Sequence, residues 1–200
     1  AKEKVLREAA EKTAKNAEEV KQIDEVIKEL TKMAGMAENI KTFKNVDAFL
    51  ASAEKLAKLN ITAKTALKYL DEALVHFNHR VVDGVLVQIG DRNCVNVVKV
   101  VDEYLKTGKI IKADLSDIQN IFELEKIYGK SFLTYKIPNL RNIMKEGERG
   151  IIFGDKGIGR AGHVFNVIKK DGDLLFRDGQ NGLNANIQNG YISFKYLKTN

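Results

Sequence analysis

One cysteine in 200 residues, Cys94, rules out an internal disulfide and any multi-cysteine zinc site. Tryptophan is absent and there is a single proline. No apolar run approaches the roughly 20 residues needed to cross a bilayer. The first residues, AKEKVLREAAEK, lack both an apolar stretch of signal-peptide type and an initiator methionine. The expectation is a fragment of a longer protein. Charge of one sign is also missing as a block. The formal net charge of +6 comes from 33 basic and 27 acidic residues mixed along the chain. Such mixing describes a solvated surface rather than a nucleic-acid footprint.

Glycine is scarce in one half only. Of 15 glycines, Gly35 alone lies before residue 80. Residues 1–78 are rich in Ala, Lys, Glu and Leu and read as helices. Leu6, Ala10, Thr13, Ala17, Val20, Ile23, Ile27, Leu30 and Ala34 form one stripe, with Gly35 suited to end that helix. A second stripe runs Met36, Ile40, Phe43, Val46, Leu50, and a third from Thr62 through Ala66, Leu70, Ala73 and Phe77. The expected boundary therefore falls at 78/79, with a helical region before it and a catalytic domain over 79–200.

The second half changes rhythm. Val81–Ile89 is β-branched and reads as a strand weakened by Gly84. Asn93 suits the cap of a helix opening at Cys94, with Val97, Val98, Val101 and Leu105 inward and Gly108 as its stop; the valines leave a strand as the alternative. A helix over Asp117–Tyr128 is closed by Gly129, followed by a short strand at Phe132–Ile137 and a short helix at Asn139–Lys145. Strands then dominate to the C-terminus. Helices followed by antiparallel strands predict an α+β fold.

The segment His163–Gln180, HVFNVIKKDGDLLFRDGQ, is the most informative. Asp171-Gly172 between two β-rich runs signals a two-residue type I′ turn. That turn pairs Lys170 with Asp173, Val167 with Phe176 and Phe165 with Asp178. Residues two apart on a strand share a face. His163 and Asp178 are thus diagonal neighbours, within reach of an imidazole–carboxylate bond. A lone cysteine at a helix N-terminus is the third member such chemistry requires, because the helix end and a neighbouring imidazolium both favour thiolate. Cys94 is then the expected nucleophile, His163 the base and Asp178 the orienting acid. Gly157-Ile-Gly159-Arg-Ala-Gly162 matches the spacing GxGxxG, but a strand follows it where dinucleotide binding needs a helix. The run reads instead as a loop beside the catalytic histidine.

With these residues in place, the chain resembles the papain-fold toxins of bacterial polymorphic toxin systems. More broadly it is similar to the Cys-His-Asp glutamine deamidases that bacteria deploy as effectors. Asn93-Cys94 opening a helix, the run into GHVFNV (Gly162–Val167) and the strand ending RDGQ (Arg177–Gln180) carry the likeness, over about residues 85–182. It implies a papain-like core and deamidation of a glutamine side chain through a Cys94 thioester. Gln88, six residues before Cys94, then takes the place of an oxyanion-hole residue, beside the Cys94 backbone N–H; Asn93 and Gln180 are supporting residues. The resemblance further implies release as the C-terminal part of a larger secreted protein and delivery into the cytoplasm of a competing cell. Residues 1–78 would serve entry, and a membrane is met only on the way. The partners implied are a protein substrate and a cognate immunity protein, with no cofactor, metal or nucleic acid. A peptidase or transamidase shares the triad. A basic nuclease, with His163 as base and Arg160, Lys169 or Lys170 on phosphate, is the reading from another class, and a non-catalytic binding module is a third.

Overall fold

The computed structural model describes residues 46–115 and 120–200. The stripes at Leu6–Ala34 and Met36–Phe43, Gly35 and the expected entry role of the N-terminal region lie wholly or largely outside the described residues.

The described chain opens with helix α1 (Val46–Lys58), whose Phe49, Ser52 and Leu56 are buried at helical spacing. Asp47 in its first turn and Lys55 and Lys58 in its last complement the helix dipole. The stripe from Thr62 to Phe77 is helical as expected, but not as one rod. It alternates between α2 (Ala63–Ala66), a 3₁₀ turn at Leu67–Tyr69, α3 (Leu70–Ala73) and a second 3₁₀ turn at Leu74–Phe77.

The single strand expected over Val81–Ile89 is instead a hairpin, β1 (His79–Val82) with β2 (Val85–Gln88). Asp83 and Gly84 turn it with φ of 49° and 76°. Gly84 is thus the second residue of an Asp-Gly turn rather than a flaw in a strand.

Helix α4 (Cys94–Thr107) ends at Gly108 as expected. Its valines are weak helix formers, yet eight of its residues are buried, and burial outweighs propensity here. Helix α5 (Phe122–Tyr128), strand β3 (Leu133–Tyr135) and helix α6 (Ile137–Ile143) follow, with Pro138 in the first turn of α6. The remaining strands are β4 (Arg149–Asp155), β5 (His163–Lys170), β6 (Asp173–Asp178), β7 (Leu183–Asn184) and β8 (Ser193–Lys198).

These build one sheet of order β3-β8-β4-β5-β6-β7 with every neighbouring pair antiparallel. The fold is α+β. On one face Ile152, Phe165, Val167, Leu174 and Tyr196 pack with Leu140 and Met144. On the other, Ile151, Val164 and Leu197 meet Val95 and Val98 of α4, with Leu124 of α5 beside them. The opposite flank of α4 does not reach solvent. Val97, Val101, Tyr104 and Leu105 share a core with Leu56, Ala66, Leu70, Leu74 and Phe77.

The boundary expected at 78/79 therefore runs through one compact unit, residues 45–200. Its physical reason is the shared core: α4 needs the helices of 46–77 to cover its second apolar flank.

Phe77 is fully buried and meets Tyr104 edge-on at 5.4 Å. Phe77→Ala is expected to cost about 3–5 kcal/mol, as large aromatic truncations in cores do. Urea unfolding of the whole chain measures it. A change within experimental error of zero would show that the 63–77 run does not support α4.

Candidate functional site

The β5–β6 hairpin has the register that the Asp171-Gly172 turn dictates. Lys170 pairs with Asp173 and Val167 with Phe176, and φ is 53° and 82° at the two turn residues. The β5–β6 pairing ends at Asn166 with Arg177. Beyond that pair, side chains take over from backbone. His163, the first residue of β5, places Nε2 2.8 Å from Oδ2 of Asp178, the last residue of β6.

Asp178 is buried and well supplied with donors. The Gln180 N–H donates to Oδ1 at 3.0 Å and Asn181 Nδ2 to Oδ2 at 2.6 Å. These bonds fix the orientation of the carboxylate toward His163.

His163 also hydrogen-bonds the Cys94 side chain, and with Nε2 on Asp178 the nitrogen left for the thiol is Nδ1. Burial by itself would lower the pKa of the imidazole. The bonds to Asp178 and Cys94, with the charges of both, outweigh burial and push it up to about 10. The ring is therefore held as a cation between two acids. Cys94 stands as the first residue of α4 and is half-buried.

What fixes the helix end is a set of buried amides. Asn93 occupies the cap position without capping: its side chain makes no bond to the first amides of α4. Its Nδ2 donates to Asn78 Oδ1 at 2.8 Å and to the Asp114 carbonyl at 3.1 Å, while its Oδ1 accepts from Gln180 Nε2 at 3.3 Å. Asn78, fully buried, donates to the carbonyls of Gly90 and Gln180 at 2.7 and 2.9 Å. Gln88 Nε2 donates to the same two carbonyls, each at 2.9 Å.

Both amide hydrogens of Gln88 are thus committed to backbone, and it supports the loop rather than offering a donor to an oxyanion. Asn93 and Gln180 likewise support rather than line the site. Asn78 was missed in sequence. Its signal, an asparagine between a helix end and a strand, is common to many turns.

Two glycines let main chain come close. A Cβ on Gly179 would lie 2.7 Å from methyls of both Val97 and Val101, so the turn after Asp178 rests directly on α4. A Cβ on Gly154, the β4 partner of His163, would lie 2.5 Å from the Tyr191 ring. Tyr191 therefore covers the strand next to the histidine, and its pKa is raised by burial first and then by the charges of Asp178 and Cys94. Neither its proximity nor its role had a sequence signal.

The residues of the nuclease reading do not converge. Lys169 is buried at the far end of β5, its ammonium donating to the carbonyls of Arg141 and Gly172. Arg160 lies in the exposed loop before His163, and Lys170 flanks the distant turn. Among the described residues no group of three or more His, Cys, Asp or Glu is arranged to hold a metal ion. The other two histidines serve packing. Nε2 of His76 lies 3.0 Å from Ser52 Oγ, and burial followed by the Lys112 charge pushes its pKa down to about 4. His79 hydrogen-bonds the Val75 carbonyl. The GxGxxG run is a loop leading into β5, as its sequence context required.

No protein-family model matches the chain, and neither a curated protein nor a solved structure matches it.

Because the His163 pKa is raised on folding, its contribution to stability is present below the free value of 6.5 and is lost as pH rises through about 10. Asp178→Asn removes the largest of the raising contributions. Titration of the His163 ring protons by NMR should show the pKa falling from about 10 toward its ordinary value; an unchanged value would mean that Asp178 does not hold the charge. Asn78→Ala removes one of the two donors to each of the Gly90 and Gln180 carbonyls and leaves one Asn93 amide hydrogen without its acceptor, which is expected to cost about 1–3 kcal/mol. Urea unfolding measures that loss.

Proposed function

We propose that this chain is a cysteine acyl-transfer enzyme, with Cys94 as nucleophile, His163 as general acid–base and Asp178 as the group that orients and charges the imidazole. One observation carries the reading: His163 joins a thiol at a helix N-terminus to a buried carboxylate, with hydrogen bonds on both sides. Such an arrangement lets the thiol proton reside on the imidazole, leaving a thiolate beside a cation. Without that chemistry, a buried ionic line of this kind is an expensive way to end two elements.

The thiolate attacks the carbon of a carboxamide, and its oxygen becomes an oxyanion. The first amides of α4 lack intrahelical partners and carry the positive end of the helix dipole, so the Cys94 N–H is suited to that oxyanion. His163 then gives its proton to the departing nitrogen, the C–N bond breaks, and a thioester remains. Water attacks the thioester while His163 takes back a proton. The carboxylate leaves and the thiolate is restored. For a glutamine side chain the sum is glutamine plus water giving glutamate plus ammonia.

The resemblance to papain-fold toxins takes the proposal further, to a glutamine deamidase acting on a target-cell protein after delivery and restrained by an immunity protein. A peptidase or a transamidase would use the same thioester and differ in the amide attacked or in what resolves it. A nuclease would leave the Cys94–His163–Asp178 line without a task.

Cys94→Ala is expected to abolish ammonia release while leaving the unfolding midpoint nearly unchanged, since the thiol is small and half-buried. Asp178→Asn should lower the rate by orders of magnitude, about 10⁴-fold in a related triad. Iodoacetamide should label Cys94 in the wild type much faster than in His163→Ala. Equal labelling rates, or full activity in Cys94→Ala, would sink the proposal.

A further inference from the structure

Two loops lie beside the candidate site: residues 156–162 lead into His163, and residues 185–192 carry Tyr191 and are tied to the end of β4 by the bond from the Ile192 N–H to the Asp155 carbonyl at 2.8 Å. Their exposed surface has a definite character. Ile158 stands wholly in solvent at 106% exposure, on a tip formed between Gly157 and Gly159, both at positive φ. Ile192 is 72% exposed and touches the same tip, since a Cβ on Gly157 would lie 3.2 Å from its Cδ1. Two exposed isoleucines therefore stand close to Gly157 and give these loops a small aliphatic patch.

The flanks of that patch are cationic. The Lys156 ammonium lies 5.2 Å from the centroid of the Tyr191 ring, which itself covers the strand beside His163. The Arg160 guanidinium lies against Gly190, 3.6 Å from where its Cβ would be. Neither Lys156 nor Arg160 forms an ion pair with a described carboxylate. Asp155, the nearest acid in sequence, turns its Oδ1 to the Gly157 N–H. Arg92, two residues before Cys94, is also exposed.

We infer that this rim, resting on the acyl-transfer reading of the site it borders, docks a protein segment with an aliphatic residue and acidic residues close to the amide attacked. Aliphatic surface on the partner would cover Ile158 and Ile192, and carboxylates would pair with Lys156 and Arg160. Charge complementarity of this kind sets partner choice and encounter rate more than bare affinity. A segment of basic character is repelled by the same rim.

Two dye-labelled 12-residue peptides decide it, each with a central Leu-Gln, one flanked by glutamates and the other by lysines. Binding is read by fluorescence anisotropy on the whole Cys94→Ala chain, where no turnover intervenes. The acidic peptide is expected to bind at least about 10-fold more tightly, a difference of roughly 1.4 kcal/mol. That preference should vanish in Lys156→Glu/Arg160→Glu, and Ile158→Ser should weaken binding of the acidic peptide. Lys106→Glu/Lys109→Glu makes the same charge change at the far end of α4 and should keep the preference. Equal binding of both peptides, no binding of either, or loss of preference in the Lys106/Lys109 variant overturns the rim. Ammonia release from the acidic peptide by wild-type enzyme is scored separately. Its absence with the binding preference intact overturns deamidation and leaves the docking surface standing.

Discussion

Helix α4 is apolar on two flanks, and a helix of that kind can be buried only between two layers. Val95 and Val98 require the sheet, while Val97, Val101 and Leu105 require the helices of 46–77. Everything at the candidate site follows from that placement. The helix lies across the sheet with its N-terminus beside the start of β5 and the end of β6, so its first residue, Cys94, meets His163 and Asp178 there. Asn166 helps to hold the contact by donating its amide to the Val98 carbonyl at 3.1 Å.

Burial along a helix sets position only coarsely, to within a turn or a slight slide. The cluster of Asn78, Gln88, Asn93 and Gln180 removes that freedom. Asn93, the residue before Cys94, bonds the side chains of Asn78 and Gln180, while Asn78 and Gln88 both donate to the carbonyls of Gly90 and Gln180, so the helix end and the turn after Asp178 share one network. Hydrogen bonds are directional where apolar contacts are not, and an unmade bond in this buried place is costly. Gly179 completes the lock from the other side, because any side chain there would push the turn off Val97 and Val101.

The parts of this molecule that were legible in sequence are those governed by local rules. Asp171-Gly172 fixed a register, and the register alone paired His163 with Asp178. Gly108 and Gly129 ended their helices at the expected places. The same rule applied to Asp83-Gly84 would have yielded the first hairpin, but four-residue strands are too short for alternation to be visible. The division of the chain at residue 78 misled for a different reason. A change in glycine content marks a change from helices to strands, and that need not be a change of core. Whether the stripe of 63–77 packs on itself or under α4 depends on contacts remote in sequence, such as Phe77 against Tyr104. The amide cluster was illegible for the same reason: its members are separated by as many as 102 residues.

The electrostatics of His163 join the frame to the chemistry. Its ring is 19% exposed in side-chain terms, so burial works against its charge, and without partners it would be neutral near pH 7. Asp178 reverses that outcome, and it is itself held in place by the Gln180 N–H and the Asn181 amide. Gln180 is in turn a member of the cluster that positions Cys94. One turn, residues 178–181, thus supplies the carboxylate, fixes its orientation and anchors the helix that bears the thiol. Charge on the imidazole and position of the thiol are consequently coupled. A change that loosens the turn lets Asp178 gain water, weakens its hold on the imidazole and frees the helix end together. The loops around Ile158 and Ile192 take no part in this cluster, which leaves the outer rim able to vary in sequence while the inner line of Cys94, His163 and Asp178 keeps its geometry.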